Sequence, residues 1–558
     1  MSRRLSRPFA RAIATAFGGV LLVLGQGPQQ ALAATPAQPH AQPHAQPHAG
    51  GSLTWGVETE PTPFNPQLNG QAKAEVVLRA SYESLLARQA DGRYLPWLAS
   101  AWKVSADGST YTFTLREGVR FHDGRAFDAA AVARNFEAVR DPAYIASAGS
   151  LAAFGARIAA IETPDAHTVR IRIRAPYAPF LSFAAALKLI SPAAYDLPTL
   201  KSGGPAVAGT GPFILKRYQK GQQAEFERNP AYNWAPASAA HQGPAYLERV
   251  TYRFLPESSV RTGALLSGQV DVIEGISGND ARLFKDQPNF QYLRAYNAGT
   301  PYSLYLNVTH GPTQDVRVRR ALLEGLDVGA VVQSIYRGER TRAWGVTSPA
   351  DPFYAKDIEG HYGNNPQRAN QLLDEAGWTA RDAQGYRSKD GQRLAIDVVQ
   401  AQATVRDQRD VLLQALQAQA RQRLGVELAL RYVDTGTYAQ VRKSGAFGAI
   451  PNSRTDTDGL NLEYNYLPVD QGGAINYSRT SAPELRGWLT AAARTLDNAE
   501  RRRQYGALQH FAIAEQALAV PLYIPEDQIA AGAHVHGLSF RPLAQMPENP
   551  YDVWIERH

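Results

Sequence analysis

The chain has 558 residues, 44% hydrophobic and 20% charged, an ordinary globular composition with enough length for several domains. It contains no cysteine, which excludes disulfides, zinc–thiolate sites, a cysteine nucleophile and a lipidated N-terminal Cys. The formal charge of +7 falls to about +3 once four leader arginines are set aside, too small an excess to call for nucleic acid or a membrane surface.

In chain order, Arg3, Arg4, Arg7 and Arg11 precede an apolar run over Gly18–Leu24, and Ala-Leu-Ala at 31–33 offers a small-residue cleavage site. This pattern predicts a secretory signal peptide over 1–33, whose apolar core is too short to cross a bilayer. With no lipid anchor available, the expected location is the periplasm. Residues 34–50 then repeat Ala-Gln-Pro-His three times, setting His40, His44 and His48 four residues apart. A helix would align them, but proline in every repeat forbids one, so an extended tether is predicted. Flexible imidazoles on a tether could still capture a divalent ion weakly. A plain spacer and a metal-scavenging tail both fit the tract.

The body alternates strands and helices. Tyr111, Phe113 and Leu115 alternate with polar residues, as do Val169, Ile171 and Ile173 with Arg170, Arg172 and Arg174; both read as strands with one solvated face. "DAAAVARNFEAV" predicts a helix capped by Asp128, with Val132, Phe136 and Val139 on one stripe. Leu413, Leu416, Ala420 and Leu424 form a second stripe that Gly425 closes, and the strand "VELALRYV" follows. The class is mixed α/β.

Enzyme signatures are missing: there is no phosphate loop, His-Glu-x-x-His or Gly-x-Ser-x-Gly. "GTGPF" at 209–213 lacks the third glycine of a dinucleotide fingerprint. His534 and His536 would share a strand face, but no third metal ligand lies near them in the sequence. No catalytic residue, cofactor or enzyme activity is expected. A periplasmic hydrolase or a chaperone-like scaffold is a remote alternative with no motif behind it.

The stretch "YESLLARQADGRYLPWLASAWKVSADGSTYTFTLREGVRFHDGRAFDAAAVARNFEAV" resembles the periplasmic solute-binding proteins of ABC importers, in the large peptide- and nickel-binding group called family 5. The resemblance continues through "GTGPFIL", "GQVDVIEG", "DVRVRRALLEGLD", "PQRANQLLDEAGW", "VPLYIP" and "YDVW". It implies a two-lobe α/β periplasmic binding protein, type II of the large cluster, hinged between lobes. Lobe one is expected over 51–297 with an extra subdomain near 82–208, lobe two over 298–520, and a C-terminal return over 521–558. The implied partners are a small peptide or peptide-like ligand and ABC permease subunits in the inner membrane, with the protein itself a monomer. A receptor for nickel or a metal–chelator complex is the alternative.

In peptide-binding members an aspartate of lobe two pairs with the peptide's α-amino group. The matching stretch is "SRTDTDGLNLEYNYL", where Asp458 stands in that position and Asp456 is a neighbouring candidate. Asp458 could equally do no more than start the turn before Gly459. Arg454 could take a ligand carboxylate or hold the same loop. Nickel-binding members fix a chelator with arginine and a loop histidine; this chain has no histidine between Gly445 and Pro468, and Lys188 alone remains of the basic stretch after "PFL". Trp55 with Glu58, Tyr302, Tyr305 and Trp344 complete the expected ligand-lining set, core packing being the competing explanation for most of them.

Overall fold

The computed structural model describes residues 46–89, 91–145, 149–455, 458–471, 475–542 and 546–556. The expected signal peptide, His40, His44 and Asp456 lie outside them. Three sheets organise the chain. The first has seven strands in the order Phe290–Tyr296, Glu526–Gly532, Val272–Glu274, Ser52–Val57, Arg249–Phe254, Gln223–Arg228 and Phe213–Gln219. The second has six, in the order Thr341–Arg342, Ala519–Ile524, Thr300–Leu306, Ala449–Arg454, Ala395–Ala401 and Glu427–Val433. The third is a four-stranded antiparallel sheet inserted within the first lobe, Ala99–Val104, Thr110–Leu115, Thr168–Ile173 and Ile158–Asp165.

Residue patterning explains each. Thr300–Leu306 and Glu526–Gly532 are buried at every position, as central strands covered on both faces must be. In the inserted sheet Val169, Ile171 and Ile173 are buried while Arg170, Arg172 and Arg174 face solvent, so the arginines are a solvated face. Asp128 caps its helix by accepting from the Ala131 amide at 2.8 Å. Among the described residues no helix is long and apolar enough to cross a membrane.

The chain passes from the first sheet to the second between Tyr296 and Thr300, and back at Pro525. The return falls later than the expected 521, because Ala519–Ile524 pairs within the second sheet. The two crossings lie side by side, the Asn297 amide donating to the Pro525 carbonyl at 2.9 Å. Two adjacent short crossings give the lobes a common hinge.

"GTGPF" proves structural. A Cβ on Gly209 would stand 2.0 Å from the Ser81 carbonyl oxygen, and one on Gly211 2.6 Å from the Ser81 carbonyl carbon. Glycine is required there because two backbones touch, with the Ser81 hydroxyl donating to the Phe213 carbonyl at 2.7 Å. His534 and His536 do not share a strand face. His534 stands in a turn 3.3 Å from Asp271, whereas His536 stacks on Trp554 at 4.1 Å, with His48 edge-on to the same indole.

Candidate ligand site

The aromatic residues expected at the cleft mostly build the sheets instead. Trp55, Tyr302 and Tyr305 are at most 1% exposed and each packs within a hydrophobic core cluster. Their strands are interior, so their rings fill the layers beside the sheets. Trp55 lies against Tyr252 of the parallel neighbour strand, and the Tyr302 hydroxyl donates to Gln400 at 3.0 Å beneath the Arg409 guanidinium. Glu58 faces Arg261 at 3.7 Å. Trp344 is half-buried, covered by Arg342 at 3.4 Å with Tyr362 edge-on, and Arg454 lies over the Tyr464 ring.

Asp458 is buried where the lobes meet. Asp458 and Gly459 both adopt left-handed backbone (φ 67° and 76°), opening the helix Leu460–Tyr466. The Asp458 carboxylate accepts from Arg501 at 2.6 Å and from the Tyr94 hydroxyl at 3.3 Å, with Arg88 at 3.6 Å; its carbonyl takes a second bond from Arg501. Arg88 and Tyr94 face each other across a short hairpin of the first lobe. A ligand ammonium would compete with two guanidinium groups for this carboxylate, so the geometry favours the turn-forming, lobe-joining role over the amine anchor.

Around Asp458 runs a seam between the lobes. The Tyr177 hydroxyl donates to Glu463 at 2.8 Å, Arg157 lies over the Tyr177 ring at 3.6 Å, and the Ala178 amide donates to the Ala493 carbonyl at 2.6 Å. Leu460, Tyr464 and Ala493 of the second lobe join the first lobe's core. Burial pushes the Glu463 carboxyl up to about 7 and that of Asp351 up to about 6. Sequence reading missed Arg88, Tyr94, Tyr177, Glu463 and Arg501. The one sequence signal is an acid set among leucines and tyrosines in "LNLEYNY"; the structure buries that helix at all seven positions.

Beside the seam, the first lobe holds a cavity of about 340 Å³. Arg79 enters from the end of the helix Glu75–Leu78, Arg88 and Trp97 from the hairpin region, and Arg541 and Glu548 from the C-terminal return. Ser182, Ala185 and Ala186, on or beside the helix Phe180–Ala186, are short and leave the space open. Behind the wall, Glu75 binds Lys188 at 2.6 Å and Arg541 at 3.2 Å. Burial pushes the Glu75 carboxyl up, but Lys188, Arg541 and Arg79 together outweigh that and hold it below the usual range. The single lysine of the thinned basic stretch is thus committed to Glu75. Among the described residues no group of three or more His, Cys, Asp or Glu side chains could hold a metal ion.

Two sheets on a paired hinge, an inserted subdomain, and a cavity with three arginines in its lining beside the lobe seam define a two-lobe solute-binding protein. Residues 93–474 match "Bacterial extracellular solute-binding proteins, family 5 Middle", and the chain belongs to that family. It is similar to the nickel-binding periplasmic protein of Escherichia coli K12, 29% identical over 70% of this chain and 72% of that one. It is also similar to the glutathione-binding protein GsiB of the same strain, 26% identical over 86% of this chain and 90% of the relative. The crystal structure of NikA from Brucella suis in complex with Fe(III)-EDTA superposes with a TM-score of 0.78 at 25% identity, covering 91% of this chain and all of that one. The chain is therefore a substrate-binding component of an ABC importer.

Proposed function

We propose that this protein captures a peptide or peptide-like solute between its lobes in the periplasm and delivers it, as a monomer, to a permease in the inner membrane. The observation that carries the reading is the seam. Tyr177–Glu463 and Tyr94–Asp458 join the lobes directly beside an arginine-lined cavity, and the crossings at Asn297 and Pro525 lie together as a hinge. Parting these pairs admits a solute, and re-forming them encloses it. Residues near 51–297 with the return after Pro525 act as one lobe and the intervening chain as the other. No bond is made or broken.

The relative named for glutathione covers more of this chain than the one named for nickel, which supports the peptide-like reading. A receptor for nickel or a metal–chelator complex is the second reading, supported by that nickel-binding relative and by the structural neighbour holding Fe(III)-EDTA. Native mass spectrometry of the mature protein purified from periplasm decides between them. A ladder of peptide adducts is expected. A metal-bearing adduct that survives deletion of residues 34–50 would overturn the proposal; one lost with that deletion would place the metal on the histidine tract.

A further inference from the structure

The cavity wall carries more positive than negative charge. Lys188, Arg541 and Arg79 surround Glu75, and Glu548 is the second acid of the group. Along and behind the wall these three cations face two carboxylates, while Arg88, the third arginine of the lining, is drawn to Asp458 at 3.6 Å. Asp552, also in the lining, is engaged by His241 at 2.9 Å. Glu83, behind Arg79, accepts from Tyr232, Thr210 and Trp234, and burial pushes its carboxyl up to about 7, so it supplies only part of a charge at neutral pH. Arg79 is the under-matched cation. Its Nε is buried without a hydrogen-bond partner, and the nearest carboxylate oxygen, on Glu548, is 3.8 Å away, too far for a hydrogen bond. Arg541 is pulled down to about 10, by burial first and then by the neighbouring Arg79.

A buried guanidinium whose nearest carboxylate stands beyond hydrogen-bonding distance is a cost to the protein that carries it, and a closer anion from outside lowers that cost. The guanidinium fork matches a carboxylate in shape as well as charge, and the Trp97 ring lies 5.2 Å below Arg79. We infer that Arg79, with Arg541 beside it, is the specificity-determining seat for a free carboxylate of the solute. The inference rests on the proposed capture of a peptide-like ligand, and it names the end of that ligand which the first lobe reads.

The test uses the ligand-stripped mature chain and an Arg79→Met variant, chosen because methionine keeps the packing against Trp97; Arg79→Gln serves as a second variant. Titration calorimetry with trialanine and its C-terminal amide should show the acid binding at least roughly tenfold tighter to the unmodified chain, as expected of a desolvated charge-assisted pair. The variant should narrow that preference to about twofold or less. Without ligand, removal of the surplus charge should raise the melting temperature by roughly 2 °C or leave it level. Equal binding of acid and amide to the unmodified chain would overturn the inference, as would a melting temperature several degrees lower in both variants. If neither peptide binds while the variants are stabilised, the peptide reading fails and the charge argument stands.

Discussion

Arg501 and Arg79 are both buried guanidiniums near the lobe seam, yet they are furnished differently. Arg501 has a carboxylate at 2.6 Å, a carbonyl at 3.0 Å and the Phe353 ring beneath it, and its proton affinity is raised well beyond that of an ordinary arginine: burial opposes this, but Asp458 and Tyr505 prevail. Arg79 has an aromatic floor but, among the described residues, no carboxylate within hydrogen-bonding distance. A guanidinium matched by an internal carboxylate holds the fold together. One left short of charge destabilises the empty protein and gains from a visitor. Function and stability thus separate at two residues of the same type.

Substitution of Arg501 gives the largest expected effect. Arg501→Ala leaves Asp458 buried with, among the described residues, Arg88 at 3.6 Å and Tyr94 as its side-chain partners, and should cost ~3–5 kcal/mol in urea unfolding. If the loss is as small as that of Arg79→Met, the distinction drawn between the two arginines fails.

Glu463 comes next. It faces Tyr177 and Arg157 from the first lobe, Arg501 and Tyr505 from the helix Asn498–His510, and Asp458 at the start of its own helix. Its carboxyl is raised to about 7 in the closed seam by burial, whereas an exposed glutamate titrates near 4.5. Between those values the closed form holds a proton that the open form releases. The contribution to closure is therefore complete below about 4.5 and lost as pH rises through about 7, ~3 kcal/mol at most. Small-angle scattering of the ligand-free chain should show expansion from pH 5.5 to 8.5, and Glu463→Gln should remove the part of it centred near 7, leaving the smaller share of Asp351, which is raised to about 6. An unchanged radius across that range would count against a titrating seam.

The fold was legible in residue order because its determinants are local. Alternation at Tyr111, Phe113 and Leu115, the cap at Asp128 and the stripe ending at Gly425 each follow from the nearest neighbours in sequence. The site was less legible. Trp55, Tyr302 and Tyr305 read as cleft aromatics because sequence does not say which strands are covered on both faces. Arg88 and Arg501 were passed over because their common partner, Asp458, lies hundreds of residues from one and tens from the other. Asp458 stands out in the sequence by its place in the segment, but the charge already spent on it depends on those distant arginines.

Gly459→Ala tests the backbone half of the Asp458 turn. The added Cβ would stand 2.3 Å from the Tyr505 ring in a left-handed conformation, so displacement and strain together should cost ~2 kcal/mol. Denaturant midpoints check this against Arg501→Ala. Equal losses would mean that the turn and the ion pair form one unit.

Tyr94→Phe gives the smallest expected change and the sharpest discrimination. The lost hydroxyl bond to Asp458 crosses between lobes, while Arg501 keeps the carboxylate neutralised from within the second lobe. A bond made only in the closed form should affect closure and leave the lobes themselves intact. Its removal is expected to cost ~1 kcal/mol, weakening ligand binding roughly fivefold with little change in the ligand-free melting temperature. Should the melting temperature fall instead and affinity hold, Tyr94 and Asp458 would belong to a fixed core. The moving interface would then have to be sought elsewhere along the hinge.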